Sequence, residues 1–225
     1  MMKSKIKLSI LFWVVVAVDI FGIATNIYTL HFIAKPLLIP ILILLLVFTK
    51  ALVPRKNLLL TGLFFSWLGD IFLLFEDKNN LFFIFGLVCF LTTHIFYIIY
   101  FIKIKSTNTS LLKKQPLLFL LVIGYGIILV RFLYPHLDDL KIPVMVYATV
   151  ICTMLVCSLH IFLKVNKPAN LFYLVGAVFF VLSDSLLAIN KFYLPFALAG
   201  ELIMLTYCAA QYFIITGFIK QLPNE

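Results

Sequence analysis

The chain has 225 residues, 64% of them hydrophobic, with 24 Phe and only 12% charged. Soluble domains run at roughly 45–50% apolar and about 25% charged, so a water-soluble globule is excluded. The net charge of +9 is spread over the breaks between apolar runs, where it fixes topology and meets anionic lipid headgroups. Nucleic acid is therefore not an expected partner.

Apolar runs of about twenty residues follow one another, which is the pattern of membrane helices and not of a barrel. The opening MMKSKIKLSILFWVVVAV has the basic start and apolar stretch of a signal peptide. No A-x-A cleavage site follows, and Asp19 and Asn26 continue the same segment, so an uncleaved first helix is expected over 8–28. The second span covers 29–49, with Lys35-Pro36 in its first third. Pro54, Arg55 and Lys56 mark the next loop, before spans at 57–75 and, beyond EDKNN, 81–103. After the polar loop 105–115 come spans at 116–134, 142–163, 168–190 and 195–220. The expected fold is an all-α membrane protein, an eight-transmembrane-helix bundle forming one domain over 1–225.

Placing the N-terminus inside puts Lys3, Lys5, Lys7, Lys50, Arg55, Lys56, Lys103, Lys105, Lys113, Lys114, Lys164, Lys167 and Lys220 on the cytoplasmic side. Only Lys78, Arg131, Lys141 and Lys191 face outward. This asymmetry predicts that both termini are cytoplasmic, in a multi-pass protein of a bacterial cytoplasmic membrane.

Two spans carry acids at their centres. GAVFFVLSDSLLAIN holds Ser183 and Asp184, and GLFFSWLGDIFLLF holds Ser66 and Asp70. A central Asp costs about 2.5–3.5 kcal/mol to insert, so these carboxylates call for a role. A shift of 114 positions superposes Gly62 on Gly176, Asp70 on Asp184 and Gly86 on Gly200. That register predicts a parallel repeat of four helices plus four, an arrangement that places sites between halves.

By helical rise, Asp70 and Asp184 fall in the outer half of the membrane, as do Glu201, Lys35 and Asn26. Asp19 and His94 lie nearer the middle. His94 and Tyr97 are one turn apart, as are Tyr207 and Gln211. The polar set admits two readings. It is a substrate pocket built on an acid–base pair, or it is interhelical hydrogen bonding that holds the bundle together. Arg131 reads as a snorkelling anchor. Cys89, Cys152, Cys157 and Cys208 lie in apolar helices without a CxxC pair and read as core residues. His31, His136 and His160 share no close ligand spacing, so no metal is expected.

GLFFSWLGDIFLLF, FGLVCFLTTHIFYIIYF, GAVFFVLSDSLLAINKF and LTYCAAQYFIITG occur in this order. Together with Lys35-Pro36-Leu37 they resemble the YhhN-like lysoplasmalogenase family across essentially the whole chain. Two departures are TTH, where a small residue commonly precedes the His, and Cys208 after Tyr207, where a second Tyr is common. Neither touches the acids. The resemblance implies a hydrolase that cleaves the vinyl-ether bond of a lysophospholipid-type substrate, without a cofactor. It implies Asp70 and Asp184 as acid and base, with His94, Tyr97, Ser183, Tyr207 and Gln211 around them. The competing readings are a proton-coupled lipid or small-solute transporter and a hydrolase of another lysolipid.

Overall fold

The computed structural model describes residues 2–49 and 55–221, with side chains from residue 5 onward. Among these are nine α-helices and no strand. Eight of them are long and apolar enough to cross a membrane, and the chain is a multi-pass membrane protein. They are α1 (Met2–Ala24), α2 (Tyr28–Val47), α3 (Lys56–Leu73), α4 (Asn80–Ile102), α6 (Leu117–Leu133), α7 (Lys141–Ile161), α8 (Ala169–Ala188) and α9 (Ala199–Gln221). The ninth, α5 (Leu111–Lys114), is a single turn within the segment read as a loop. The Ser110 hydroxyl accepts from the Leu112 amide at 3.2 Å and caps it.

The expected spans match these helices to within a few residues, with one correction that bears on the site. α1 ends at Ala24, and Asn26 stands exposed in the turn to α2 with φ 55°. Asn tolerates this left-handed conformation better than most side chains, so Asn26 shapes a turn and does not sit late in a buried helix. The expected loop at Pro54 lies outside the described residues, apart from its last member Arg55.

Contacts divide the chain into two compact units, residues 1–97 and 98–225, with α4 running through the division. In the first unit, α2 contains Pro36 and Pro40. Pro40 has no N–H to give the carbonyl four residues earlier, which is that of Pro36. The Trp67 indole of α3 supplies the missing donor, at 2.9 Å. α3 and α4 approach closely at Gly62, where an added Cβ would stand 2.7 Å from the Tyr97 ring. Thr93 donates to the Gly62 carbonyl there at 2.9 Å.

In the second unit, α8 and α9 form the tightest pair. An added Cβ at Gly176 would lie 2.8 Å from Ile214 and 3.0 Å from the Ala210 carbonyl. At one end of this pair, the Tyr100 and Tyr173 hydroxyls meet at 2.7 Å, and Tyr173 donates to the Gln221 side chain at 2.7 Å. α8 runs on into a π-helical turn, Ile189–Tyr193.

Candidate active site

In the first unit the chemistry-bearing side chains are buried with little exception. Gly62, Ser66 and Asp70 follow at four-residue steps and so share one face of α3. All three are buried, Ser66 completely and Asp70 to 1% exposure. On α4, His94 and Tyr97 are fully buried one turn apart, and Lys35 of α2 is buried as well. A buried Lys and a buried Asp in apolar helices are costly to desolvate and persist where they serve pairing or function. The Gly62–Tyr97 contact and the packing of Phe90 at 2.9 Å from a Cβ on Gly69 hold the α3 and α4 faces together.

Asp19 of α1 is also fully buried, and it has a partner that sequence reasoning missed. His31, in the first turn of α2, bonds it through Nδ1 at 2.8 Å. The tight turn through Asn26 folds α2 back on α1 and makes this contact between residues twelve apart. The signal was available: an acid late in one helix and a histidine early in the next, across a turn of three residues.

The second unit presents Asp184 differently. It is half-buried on α8, and its Oδ2 accepts a hydrogen bond from the Tyr147 hydroxyl of α7 at 2.7 Å. Together with Ala148 of α7 and Gly126 of α6, these residues line a small cavity of about 50 Å³. Its wall is apolar apart from Tyr125, Tyr147, Asp184 and Ser185. The Tyr125 and Ser185 hydroxyls meet at 2.7 Å, and Ser185 also donates to the Val181 carbonyl at 2.6 Å. Neither Tyr147 nor Tyr125 was marked in the sequence. Both lie in helices whose composition is that of an ordinary membrane span, and only the packing of α6 and α7 against α8 brings them to Asp184.

Ser183, next to Asp184, points the other way. Its hydroxyl donates to the Ile203 carbonyl at 3.1 Å and so helps tie α8 to α9. Tyr207 and Gln211 are buried on α9, and Tyr207 packs edge-on against Phe180 at 5.9 Å. Glu201, in the first turn of α9, is half-buried. The sequence-predicted residues thus fall into two sets. Lys35, Ser66, Asp70, His94 and Tyr97 are buried in the first unit, and Ser183, Asp184, Tyr207 and Gln211 belong to the α8–α9 region of the second. Asp19 is paired with His31, and Asn26 is exposed.

Residues 30–218 match the model of the YhhN family. The chain is 32% identical over 172 residues to the lysoplasmalogenase TMEM86A of Bos taurus, covering 74% of this chain and 67% of that protein. It is 31% identical over 174 residues to the human protein of the same name, with the same shares covered. It is 29% identical over 147 residues to a lysoplasmalogenase of Mycobacterium bovis, a match over 64% of this chain and 54% of the relative. No solved structure matches it. With the family model matching most of its length, the chain belongs to the YhhN family.

Proposed function

We propose that this protein is a membrane hydrolase that cleaves the vinyl-ether bond of lysoplasmalogens, with Asp70 and Asp184 as its acid–base pair. The observation that carries the reading is the pair of aspartates held inside membrane helices of a chain whose relatives are named lysoplasmalogenases. The protein resides in a bacterial cytoplasmic membrane with both termini inside. The 114-residue register reflects an internal duplication.

The chemistry needs little beyond two carboxyl groups. A carboxylic acid protonates the β-carbon of the enol ether, leaving an oxocarbenium ion across the ether carbon and oxygen. The second carboxylate stabilises that cation and takes a proton from the water that attacks it. The hemiacetal then collapses, the glycerol oxygen leaving with a proton, to give a fatty aldehyde and the glycerophospho-headgroup. One water is consumed, and the protein returns to its starting protonation state. Asp184, held by the Tyr147 hydroxyl and facing a cavity, suits the carboxylate role. Asp70, buried on α3, suits the acid.

The test is to incubate purified protein in detergent with a lysoplasmalogen and, separately, with an ester lysophospholipid. The reading expects aldehyde from the first and no fatty acid from the second. Fatty acid release would make it a hydrolase of another lysolipid. An absence of turnover in detergent, with solute movement only in sealed vesicles, would make it a transporter.

A further inference from the structure

A groove of about 980 Å³ runs between α6 and α7 on the second unit. Two features distinguish it from ordinary lipid-facing surface. Its wall shares Gly126, Val130, Ala148 and Cys152 with the small cavity at Asp184, so the two spaces adjoin through the same four residues. Its outer end carries a cation, the exposed Arg131, which makes no hydrogen bond or ion pair among the described residues. The Lys141 ammonium lies 5.0 Å from the ring centroid of Tyr134, another lining residue.

The rest of the wall is apolar in effect. The Thr149 and Thr153 hydroxyls bond the carbonyls of Met145 and Thr149, at 2.8 and 2.7 Å, so they offer the groove little polarity. A long apolar trough with a guanidinium at one end is complementary to a single-chain amphiphile that carries a phosphate.

The spacing fits such a molecule. Arg131 is two residues, or about 3 Å, before the end of α6, and Tyr147 is six residues, or about 9 Å, past the start of α7. Counted from the connector they share, the Asp184–Tyr147 level lies about 6 Å deeper than Arg131, by the same rise. That is the span of a glycerol unit between a phosphate and its sn-1 ether oxygen. Inward from Arg131 the groove reaches Phe119, about 18 Å along α6, which leaves about 12 Å beyond the ether level for the first part of an alkenyl chain.

We infer that the α6–α7 groove is the substrate-binding site, with Arg131 holding the phosphate of a lysophospholipid so that its sn-1 ether lies at the Asp184 cavity. This rests on the proposed reaction. Arg131 becomes a specificity-determining residue, because a guanidinium grips phosphate by paired hydrogen bonds where an ammonium offers only a point charge.

Kinetics with Arg131→Gln and Arg131→Lys test this on a lysoplasmalogen and on the corresponding 1-alkenylglycerol, which lacks phosphate. The expected result for Arg131→Gln is a KM about ten-fold higher for the phosphate-bearing substrate, with kcat within about two-fold. Arg131→Lys recovers part of the loss, and neither variant changes the kinetics of the alkenylglycerol. An unchanged KM, or an equal change with both substrates, overturns the assignment.

A second measurement separates the groove from the reaction. Photolabelling with a lysophosphatidylcholine bearing a diazirine in its chain is expected to modify peptides 117–133 and 141–161, at least three-fold less in Arg131→Gln. Labelling confined to other helices overturns the groove even in a protein that hydrolyses nothing. Labelling of the groove without hydrolysis sustains the site and defeats the reaction.

Discussion

Asp70 and Asp184 stand at the same distance from a leading glycine, eight residues after Gly62 and Gly176, yet their surroundings diverge. Both glycines sit where a second helix comes too close for a Cβ: Tyr97 of α4 at 2.7 Å from Gly62, and Ile214 of α9 at 2.8 Å from Gly176. Beyond that shared device, Asp70 is buried at 1% exposure. Asp184 is half-buried, bonded by Tyr147 and open to a cavity. Two helices can thus carry an acid in the same register and give it different surroundings. The Asp184 carboxyl group borders a cavity of about 50 Å³, large enough to admit water.

Lengthening each acid by one methylene strains this contrast most. Asp184→Glu projects into a cavity of about 50 Å³ and is expected to keep about a tenth of the aldehyde release. Asp70→Glu lengthens a side chain that is only 1% exposed, where overpacking costs about 1–3 kcal/mol, and is expected to lose about a hundred-fold and lower the melting temperature. Equal tolerance at both sites would erase the distinction.

Tyr147→Phe removes the hydroxyl that donates to Asp184. We expect a roughly ten-fold lower kcat and, from one lost hydrogen bond, about 1 kcal/mol of stability. A wild-type kcat would detach Tyr147 from the chemistry. The smallest effect on turnover belongs to Trp67→Phe, which orphans the Pro36 carbonyl in the first unit. It is expected to cost about 1–3 kcal/mol in thermal unfolding with kcat unchanged. A large loss of kcat would mean that the α2–α3 tie also positions the acid.

The helices were legible because their signal is length and apolarity, which the bilayer dictates residue by residue. Burial of Asp70, Ser66, His94 and Tyr97 followed from the same logic, since a polar side chain in a membrane helix faces protein and not lipid. The pairings were not legible. Tyr147 is one hydroxyl in an apolar helix, and its meeting with Asp184 depends on how α7 is rotated against α8, which no local pattern encodes. Asn26 was misread because one apolar stretch holds both the end of α1 and the start of α2. Hydropathy alone does not show a turn as tight as this one. His31 stands in the first turn of α2, across that turn from Asp19; both residues are visible in the sequence, and their pairing depends on where the turn falls.

Under the proposed function, Asp70 and Asp184 together carry the hydrolysis of a vinyl ether. Aldehyde release from a lysoplasmalogen by purified, folded wild-type, Asp70→Asn and Asp184→Asn proteins tests it most directly. An amide keeps the shape of the acid and removes its proton chemistry, and acid–base groups typically contribute about 10²–10⁴-fold. A loss of at least about a hundred-fold is expected in each variant by that measure. Either variant releasing aldehyde at the wild-type rate would contradict it.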